Sequence, residues 1–374
     1  MRVLLFSVTA GEGHNATARA IASILTSQGA ETKIVDAYRL AGRFMYHLVS
    51  KGYLVASSSL KYGYGLVYRM LEHRRGNAYR LSPARLSGRS LAKKFARVIA
   101  EYDPDVIVGT HPFTGRILDI TKERHGFRAK TVAVVTDFTL HPYWEEALRL
   151  DRLILPGERL LPLAEKKGFA REQLRPFGIP IRKDFAVALP KGEARVSLGL
   201  SPTLPTLLLM GGSMGYGNMR ALLCRLDKLA TPHQCIVVCA NNAKMLKSIQ
   251  RHTWKNPVLA LGFVDFVPRL MDAANVIVSK PGGITSAEAL VKRLPMIIPS
   301  AIPGHEDHNV RFLTETGAAL SLSRRLSLTD AVASVLFDPE RQRAMQAAID
   351  TIRKPLALDD LCREIFFLAE KSKK

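Results

Sequence analysis

Short apolar runs that end in glycine-bearing turns, each followed by a helical pattern, constrain this chain more than any other feature. Near its start Val3-Leu4-Leu5-Phe6 leads into Ala10-Gly11-Glu12-Gly13-His14-Asn15-Ala16. Near its other end Val276-Ile277-Val278 leads into Ser279-Lys280-Pro281-Gly282-Gly283-Ile284-Thr285-Ser286-Ala287-Glu288. Glycines let backbone N–H groups approach an anion closely, and the helix start adds the positive end of its dipole, so such a junction suits a phosphate or a sugar. The first junction differs in carrying a histidine. One turn that can hold an activated donor and another that can hold a base suggest a two-domain group-transfer enzyme.

The pattern between these turns is periodic. Strand-like runs at 3–8, 33–35, 106–109, 131–135 and 153–155 alternate with helical stretches, and a second series follows at 207–210, 236–239, 258–261, 276–278, 296–298 and 320–322. Alternation of this kind implies parallel sheets covered by helices, hence an α/β fold. Pro180, Pro190, Pro202 and Pro205, with Gly192 and Gly199, interrupt it. The expected organisation is an N-terminal Rossmann-like domain over 1–180, a C-terminal one over 181–355 and a last amphipathic helix over 356–374, with a cleft between two doubly wound halves. A chain of 374 residues can bury two cores.

The net charge of +21 is uneven. Residues 39–97 hold thirteen Lys and Arg, among them Arg39, Arg43, Lys51, Lys61, Arg74, Arg75 and Arg80, against Glu72 alone. Interleaved are Phe44, Tyr46, Tyr53, Tyr62, Tyr64 and Tyr68. Cations mixed with aromatic and aliphatic side chains suit an anionic lipid surface, the plain alternative being a helical insert with a solvated basic face. Nucleic acid would satisfy the charge as well, but no nucleic-acid module is visible. The four cysteines form no Cys-x-x-Cys pair, and no apolar stretch approaches the ~18 residues of a spanning helix. The expectation is a cytoplasmic protein that meets a membrane from its surface.

Three turns admit competing readings. Gly11-x-Gly13-x-x-Ala16 fits a dinucleotide fingerprint, with Asp36 placed as its ribose-binding acid; Glu12 inside the loop and His14 at its mouth speak against that and for a histidine kept neutral near a helix start. The loop Gly211-Gly212-Ser213-Met214-Gly215-Tyr216-Gly217-Asn218 leaves backbone donors and a hydroxyl for a phosphate. Thr285-x-x-Glu288 reads as a capping box, which needs no ligand. Pro303-Gly304-His305-Glu306-Asp307-His308-Asn309 groups carboxylates and an amide as a sugar ring requires; a His-Glu-x-x-His zinc motif would need a histidine where Asn309 stands.

Taken together, these residues resemble the diacylglycerol glycosyltransferases, comprising the monogalactosyldiacylglycerol synthases and the processive diacylglycerol glucosyltransferases, which are related to the MurG-type enzymes. The resemblance runs through Gly11-Glu12-Gly13-His14-Asn15, His111-Pro112, Val135-Thr136-Asp137-Phe138 with His141-Pro142 and Trp144, Gly178-Ile179-Pro180, Gly262-Phe263-Val264, Lys280-Pro281-Gly282-Gly283-Ile284-Thr285 with Glu288, and Pro303-Gly304-His305-Glu306 with Asn309. Only the basic insert is hard to align. The resemblance implies a GT-B fold, a UDP-hexose donor in the C-terminal domain, a diacylglycerol acceptor in the N-terminal one, and neither metal nor cofactor. It would place Gly212 and Ser213 at the diphosphate, Phe263 at the uracil, Gly283, Ile284 and Thr285 at phosphate through their N–H groups, Glu288 at the ribose, and Glu306 and Asn309 at the hexose. His14 would be the base, Asp137 a second candidate or its orienting partner, and Gly11, Gly13 and Asn15 the acceptor loop. Two departures lie near the donor: His305 stands where relatives often carry Gln, and Gly215-Tyr216-Gly217 follows the family only loosely. An inverting transfer to a β-glycosyl lipid follows; the alternatives are a polyisoprenyl-linked acceptor, a UDP-sugar epimerase, a nicotinamide-dependent oxidoreductase, or a lipid-surface protein without activity.

Overall fold

The computed structural model describes residues 1–9, 12–42, 83–212 and 218–372. Runs such as Val106–Gly109, apolar at every position, are satisfied only when both faces of a strand are covered, and every strand pairing is parallel. The first sheet comprises β1 (Arg2–Ser7), β2 (Glu31–Asp36), β3 (Val106–Gly109), β4 (Lys130–Val134), β5 (Arg152–Ile154) and β6 (Leu174–Arg175), in the order β2-β1-β3-β4-β5-β6. The second comprises β7 (Thr206–Met210), β8 (Gln234–Val238), β9 (Val258–Leu261), β10 (Val276–Ser279), β11 (Met296–Ile298) and β12 (Ala319–Ser321), in the order β12-β11-β10-β7-β8-β9. The order reverses beside β1 in the first sheet, at β1/β3, and beside β7 in the second, at β7/β10. At such reversals the connections leave to opposite faces, and the crevice beyond the strands' carboxyl ends is where doubly wound sheets hold ligands.

Alternation along each strand splits the first core in two. Leu4, Phe6, Ile107, Ala133 and Leu153 face one side, where Phe95 of the helix Pro83–Tyr102 stacks on Phe6 at 4.0 Å. Val3, Leu5, Val108, Val132 and Val134 face the other, covered by Ile21 and Leu25 of the helix Gly13–Ser27 and by Leu358, Leu361, Ile365 and Leu368 of the helix Ala357–Ser372. Glu364 of that last helix pairs with Arg152 and, at 3.3 Å, with Arg175, tying it to β5 and β6. The first compact unit therefore contains 1–182 together with 302–305 and 356–374, and the second contains 183–301 with 306–355. β6 is absent from the sequence expectation because a two-residue strand, Leu174-Arg175, carries no periodic signal.

The basic insert divides. Its residues 43–82, with the interleaved aromatics, lie outside the described residues. From 88 to 97 it is an amphipathic helix whose Leu91, Ala92 and Phe95 are buried in the core while Arg89, Lys93, Lys94 and Arg97 are exposed. Here the solvated basic face is what the structure shows, since the apolar positions are already covered by β1 and its neighbours. No helix among the described residues is long and apolar enough to cross a membrane. All four cysteines are free thiols.

The second unit begins on a buried cationic cluster. Lys191 donates to the Ala274 carbonyl at 2.6 Å, and Arg195 to Ala273, Pro202 and Asn275. Burial, reinforced by the Arg195 guanidinium and opposed by Asp272, lowers Lys191 to about 8. Between that value and its ordinary one near 10.5, the unfolded chain holds a proton that the folded chain has lost, so rising pH favours folding across this window. Cys235, whose thiol burial raises to about 12, acts in the opposite sense over an overlapping range. The group is therefore read as a difference: between pH 8 and 10.5 the unfolding free energy of Lys191→Met should rise less with pH than that of the wild-type chain, by up to about 3 kcal/mol. Parallel curves would show that Lys191 keeps its ordinary affinity for protons.

Candidate functional site

At the first reversal, the turn after β1 and the turn after β3 bring two histidines together. His14 is the second residue of the helix Gly13–Ser27, whose N-cap, Glu12, makes no side-chain cap and instead pairs with Arg19 at 3.0 Å on the surface. The His14 Nδ1 stands 2.8 Å from the carbonyl oxygen of Thr110. A carbonyl can only accept, so Nδ1 carries a proton, and in the neutral ring Nε2 is then the nitrogen with the lone pair. The Thr136 hydroxyl oxygen, just beyond β4, lies 3.2 Å from the same Nδ1 and helps hold the ring.

His111 packs edge-on against His14 at 4.6 Å between ring centroids, but its chemistry is the reverse. It caps the helix Pro112–His125, and its Nδ1 accepts from the Phe113 N–H at 3.0 Å. His141 does the same for the short turn Pro142–Glu146, accepting from Tyr143 N–H at 3.1 Å. Each His-Pro pair is thus a helix start: the histidine supplies the cap, and proline fills the first position, where no N–H is needed. Of the three histidines, His14 alone has Nδ1 committed as a donor to a carbonyl. Asp137, half-buried, directly follows Thr136 in the same loop, and Trp144 locks that loop by packing on Gly115, where an added Cβ would lie 2.5 Å from the indole.

Gly13 opens the helix, and Gly11 lies outside the described residues. Asn15 is turned back toward the sheet: it accepts from the Ser7 hydroxyl at 2.6 Å and donates to Thr9 Oγ1 at 3.3 Å, while Thr9 in turn donates to Asp36. Asp36 also caps the helix Ala37–Ala41 through the Tyr38 and Arg39 N–H groups. Asp36 is thus engaged with two backbone amides of the helix it caps and with the Thr9 hydroxyl.

At the second reversal, the carboxyl ends of β7 and β10 lie side by side, with Met210 in register with Ser279. The helix Gly283–Val291 starts earlier than a Thr285-x-x-Glu288 capping box would allow. Gly282 is the N-cap in extended conformation, it supplies no side-chain cap, and Thr285 falls at the third helical position. The capping-box expectation is therefore corrected, and the N–H groups of Gly283, Ile284 and Thr285 belong to a first turn whose N-cap, a glycine, offers no side chain. Glu288 lies half-buried further along the same helix. The buried hydroxyls of Ser279 and Ser286 have no partner among the described residues.

Gly212 adopts φ +71°, and a Cβ there would lie 3.4 Å from Cε of Lys280. Ser213 lies outside the described residues. The Lys280 ammonium reaches Glu306 at 2.8 Å; Glu306 is 1% exposed and Asn309 is fully buried, donating to the Pro281 carbonyl at 2.9 Å. Lys280 belongs to the turn and motif read from the sequence, which gave it no role of its own; its contact with Glu306 is seen only in the structure. Phe263, after β9, is 68% exposed. Among the described residues no group of three or more His, Cys, Asp or Glu could hold a metal ion.

The chain matches the family model described as monogalactosyldiacylglycerol (MGDG) synthase over residues 14–181, and that described as the glycosyltransferase family 28 C-terminal domain over 206–361. It is 34% identical over 294 residues to a probable monogalactosyldiacylglycerol synthase 3 of Oryza sativa, covering 75% of this chain and 57% of that protein. The monogalactosyldiacylglycerol synthase of Spinacia oleracea is 29% identical, with coverage of 99% and 74%, and the processive diacylglycerol beta-glucosyltransferase of Bacillus pumilus is 27% identical, with coverage of 92% and 89%. Thus the chain spans little more than half of the rice relative's length and most of the bacterial one's. Among solved structures, Acinetobacter baumannii MurG superposes with a TM-score of 0.66 at 14% identity, covering 97% of this chain and 98% of MurG. The calicheamicin glycosyltransferase CalG4 does so with 0.63 at 13% identity, covering 99% of each chain. The fold they share is GT-B.

Proposed function

We propose that this chain, which belongs to the diacylglycerol glycosyltransferases related to MurG, transfers a hexose from UDP-glucose or UDP-galactose to diacylglycerol at a membrane surface and yields a β-glycosyl lipid. The observation that carries the donor side is the convergence at the β7/β10 reversal of Gly212, a helix start whose N-cap is a glycine, and Glu306 and Asn309. Gly212 and Ser213 with the N–H groups of Gly283, Ile284 and Thr285 receive the diphosphate, Phe263 and Glu288 the nucleoside, and Glu306 and Asn309 the sugar hydroxyls. Preorganised amide dipoles there stabilise the charge that grows on UDP.

In the first unit, the acceptor hydroxyl loses its proton to His14 Nε2 as its oxygen attacks the anomeric carbon, and the bond from that carbon to the phosphate oxygen breaks with its electron pair leaving on UDP. One displacement inverts the anomeric centre. Gly11, Gly13 and Asn15 shape the turn that presents His14, with Asp137 beside Thr136 as a second polar group at the acceptor. The basic, aromatic stretch within 39–97 meets anionic lipid from the cytoplasmic side, and nucleic acid is not a partner.

The test is direct. Purified chain, dioleoylglycerol vesicles containing an anionic lipid, and labelled UDP-glucose or UDP-galactose should give hexosyldiacylglycerol with a β linkage, in the presence of EDTA as in its absence, and less of it as salt screens the vesicle surface. A retained α linkage would refute the single displacement, transfer confined to a polyisoprenyl acceptor would refute the lipid assignment, and rescue by magnesium after chelation would refute the metal-free reaction. Titration with NADH against UDP separates the oxidoreductase reading.

A further inference from the structure

Both side chains assigned to the hexose are held by two consecutive residues of the loop that precedes the phosphate-facing helix. Lys280 donates to Glu306 Oε1 at 2.8 Å, and the next carbonyl, that of Pro281, accepts from Asn309 Nδ2 at 2.9 Å. Glu306 and Asn309 are three residues apart on the helix His305–Glu315 and so share a face. Both are buried, at 1% and 0% exposure, where an uncompensated carboxylate or amide is costly. Residue 282 then turns the chain into the helix Gly283–Val291. One stretch of five or six residues thus clamps the sugar-facing side chains with its first two members and presents phosphate-facing N–H groups with the others.

We propose that Lys280 is the positioning residue of the hexose subsite: its ammonium fixes one oxygen of Glu306 so that the carboxylate meets the sugar hydroxyls in a set orientation. This rests on the donor reading above. The side chain's route is defined as well as its end, because the Lys280 stem lies against Gly212, where a Cβ would stand 3.4 Å from Cε and where φ of +71° already favours glycine. A lysine held along its stem and at its tip has little rotamer freedom left, so the orientation it imposes on Glu306 is stiff. The sugar and phosphate parts of the donor are then recognised by one connected element, and the position of the diphosphate sets the register of the hexose contacts.

The experiment is to measure the affinities of UDP and of each UDP-hexose for the wild-type chain, Lys280→Met, Lys280→Arg, Glu306→Gln and the double variant Lys280→Met/Glu306→Gln, with thermal melting to verify folding. The ratio of the two affinities isolates the hexose and does not depend on any acceptor. In Lys280→Met it should shift about tenfold or more against the UDP-hexose, while affinity for UDP alone changes by less than about threefold. Lys280→Arg should restore most of it, and adding Lys280→Met to Glu306→Gln should change nothing further, since the residue acts through the carboxylate. Equal losses of UDP and UDP-hexose, or a full Lys280 effect in the Glu306→Gln background, would overturn the assignment by showing that the ammonium acts on the diphosphate or on the fold. Should Lys280→Met not fold, Lys280→Gln, which keeps an N–H donor, is measured in its place against the same two criteria. Failure of the wild-type chain to make glycolipid counts against the proposed function and leaves this ratio to be judged by itself.

Discussion

His14→Ala should lower turnover by roughly two to four orders of magnitude while leaving UDP affinity and melting nearly unchanged. The expectation follows from the tautomer. With Nδ1–H donating to Thr110 O, Nε2 is the basic nitrogen of a ring held in place by backbone, and alanine removes the proton acceptor together with that orientation. His111→Ala is the informative control, because His111 is its neighbour at 4.6 Å but uses Nδ1 to cap a helix. Losing that cap should cost about 1 kcal/mol of stability and far less activity. The comparison is made by steady-state rates on the same vesicles. Near-normal turnover of His14→Ala removes it from the mechanism and turns attention to Asp137.

The largest stability effect should come from Asp272→Ala. Asp272 accepts two contacts at 2.8 Å from Lys292, and the two side chains are only 6% and 2% exposed. Lys292 also donates to the Val187 carbonyl at 2.6 Å, so it joins the helix Gly283–Val291 to the segment that leads into the second unit. Deleting the carboxylate strands a buried ammonium, at a cost of about 3–5 kcal/mol, which in a unit of this size lowers the melting temperature by roughly 10 °C. Replacing both partners, as in Asp272→Leu/Lys292→Met, removes the stranded charge and should regain much of the loss. Calorimetry decides: a single variant within about 0.5 kcal/mol of the wild type would mean that the pair is effectively solvated.

The strands were legible because burial on both faces leaves a local signature. Runs such as Ile277-Val278 or Leu207-Leu208-Leu209 can be little else between turn residues, and the structure places strands at each of them. Leu174-Arg175 was not legible, since so short a strand exists only because β5 offers it an edge. The start of the helix Gly283–Val291 was misread for a related reason. Thr285-x-x-Glu288 has the spacing of a capping box, but Gly282, extended, is the N-cap and the helix begins at Gly283, three residues sooner than that box requires, which depends on where β10 delivers the chain.

Site residues divide along the same line. His14, Glu306 and Asn309 stood out as polar groups at junctions where a fold has little use for them. Asp36 stood out too, as a ribose acid, yet it is engaged by the helix it caps. Lys280 was read in its turn without a role, because its contact is with a partner twenty-six positions away. Hydrophobic periodicity and glycine placement, which act over a few residues, were enough to specify two parallel α/β halves with ligand-ready turns. Strand order, the tautomer of His14 and the Lys280–Glu306 pair needed the folded chain, because each arises from contacts between segments that no local preference brings together.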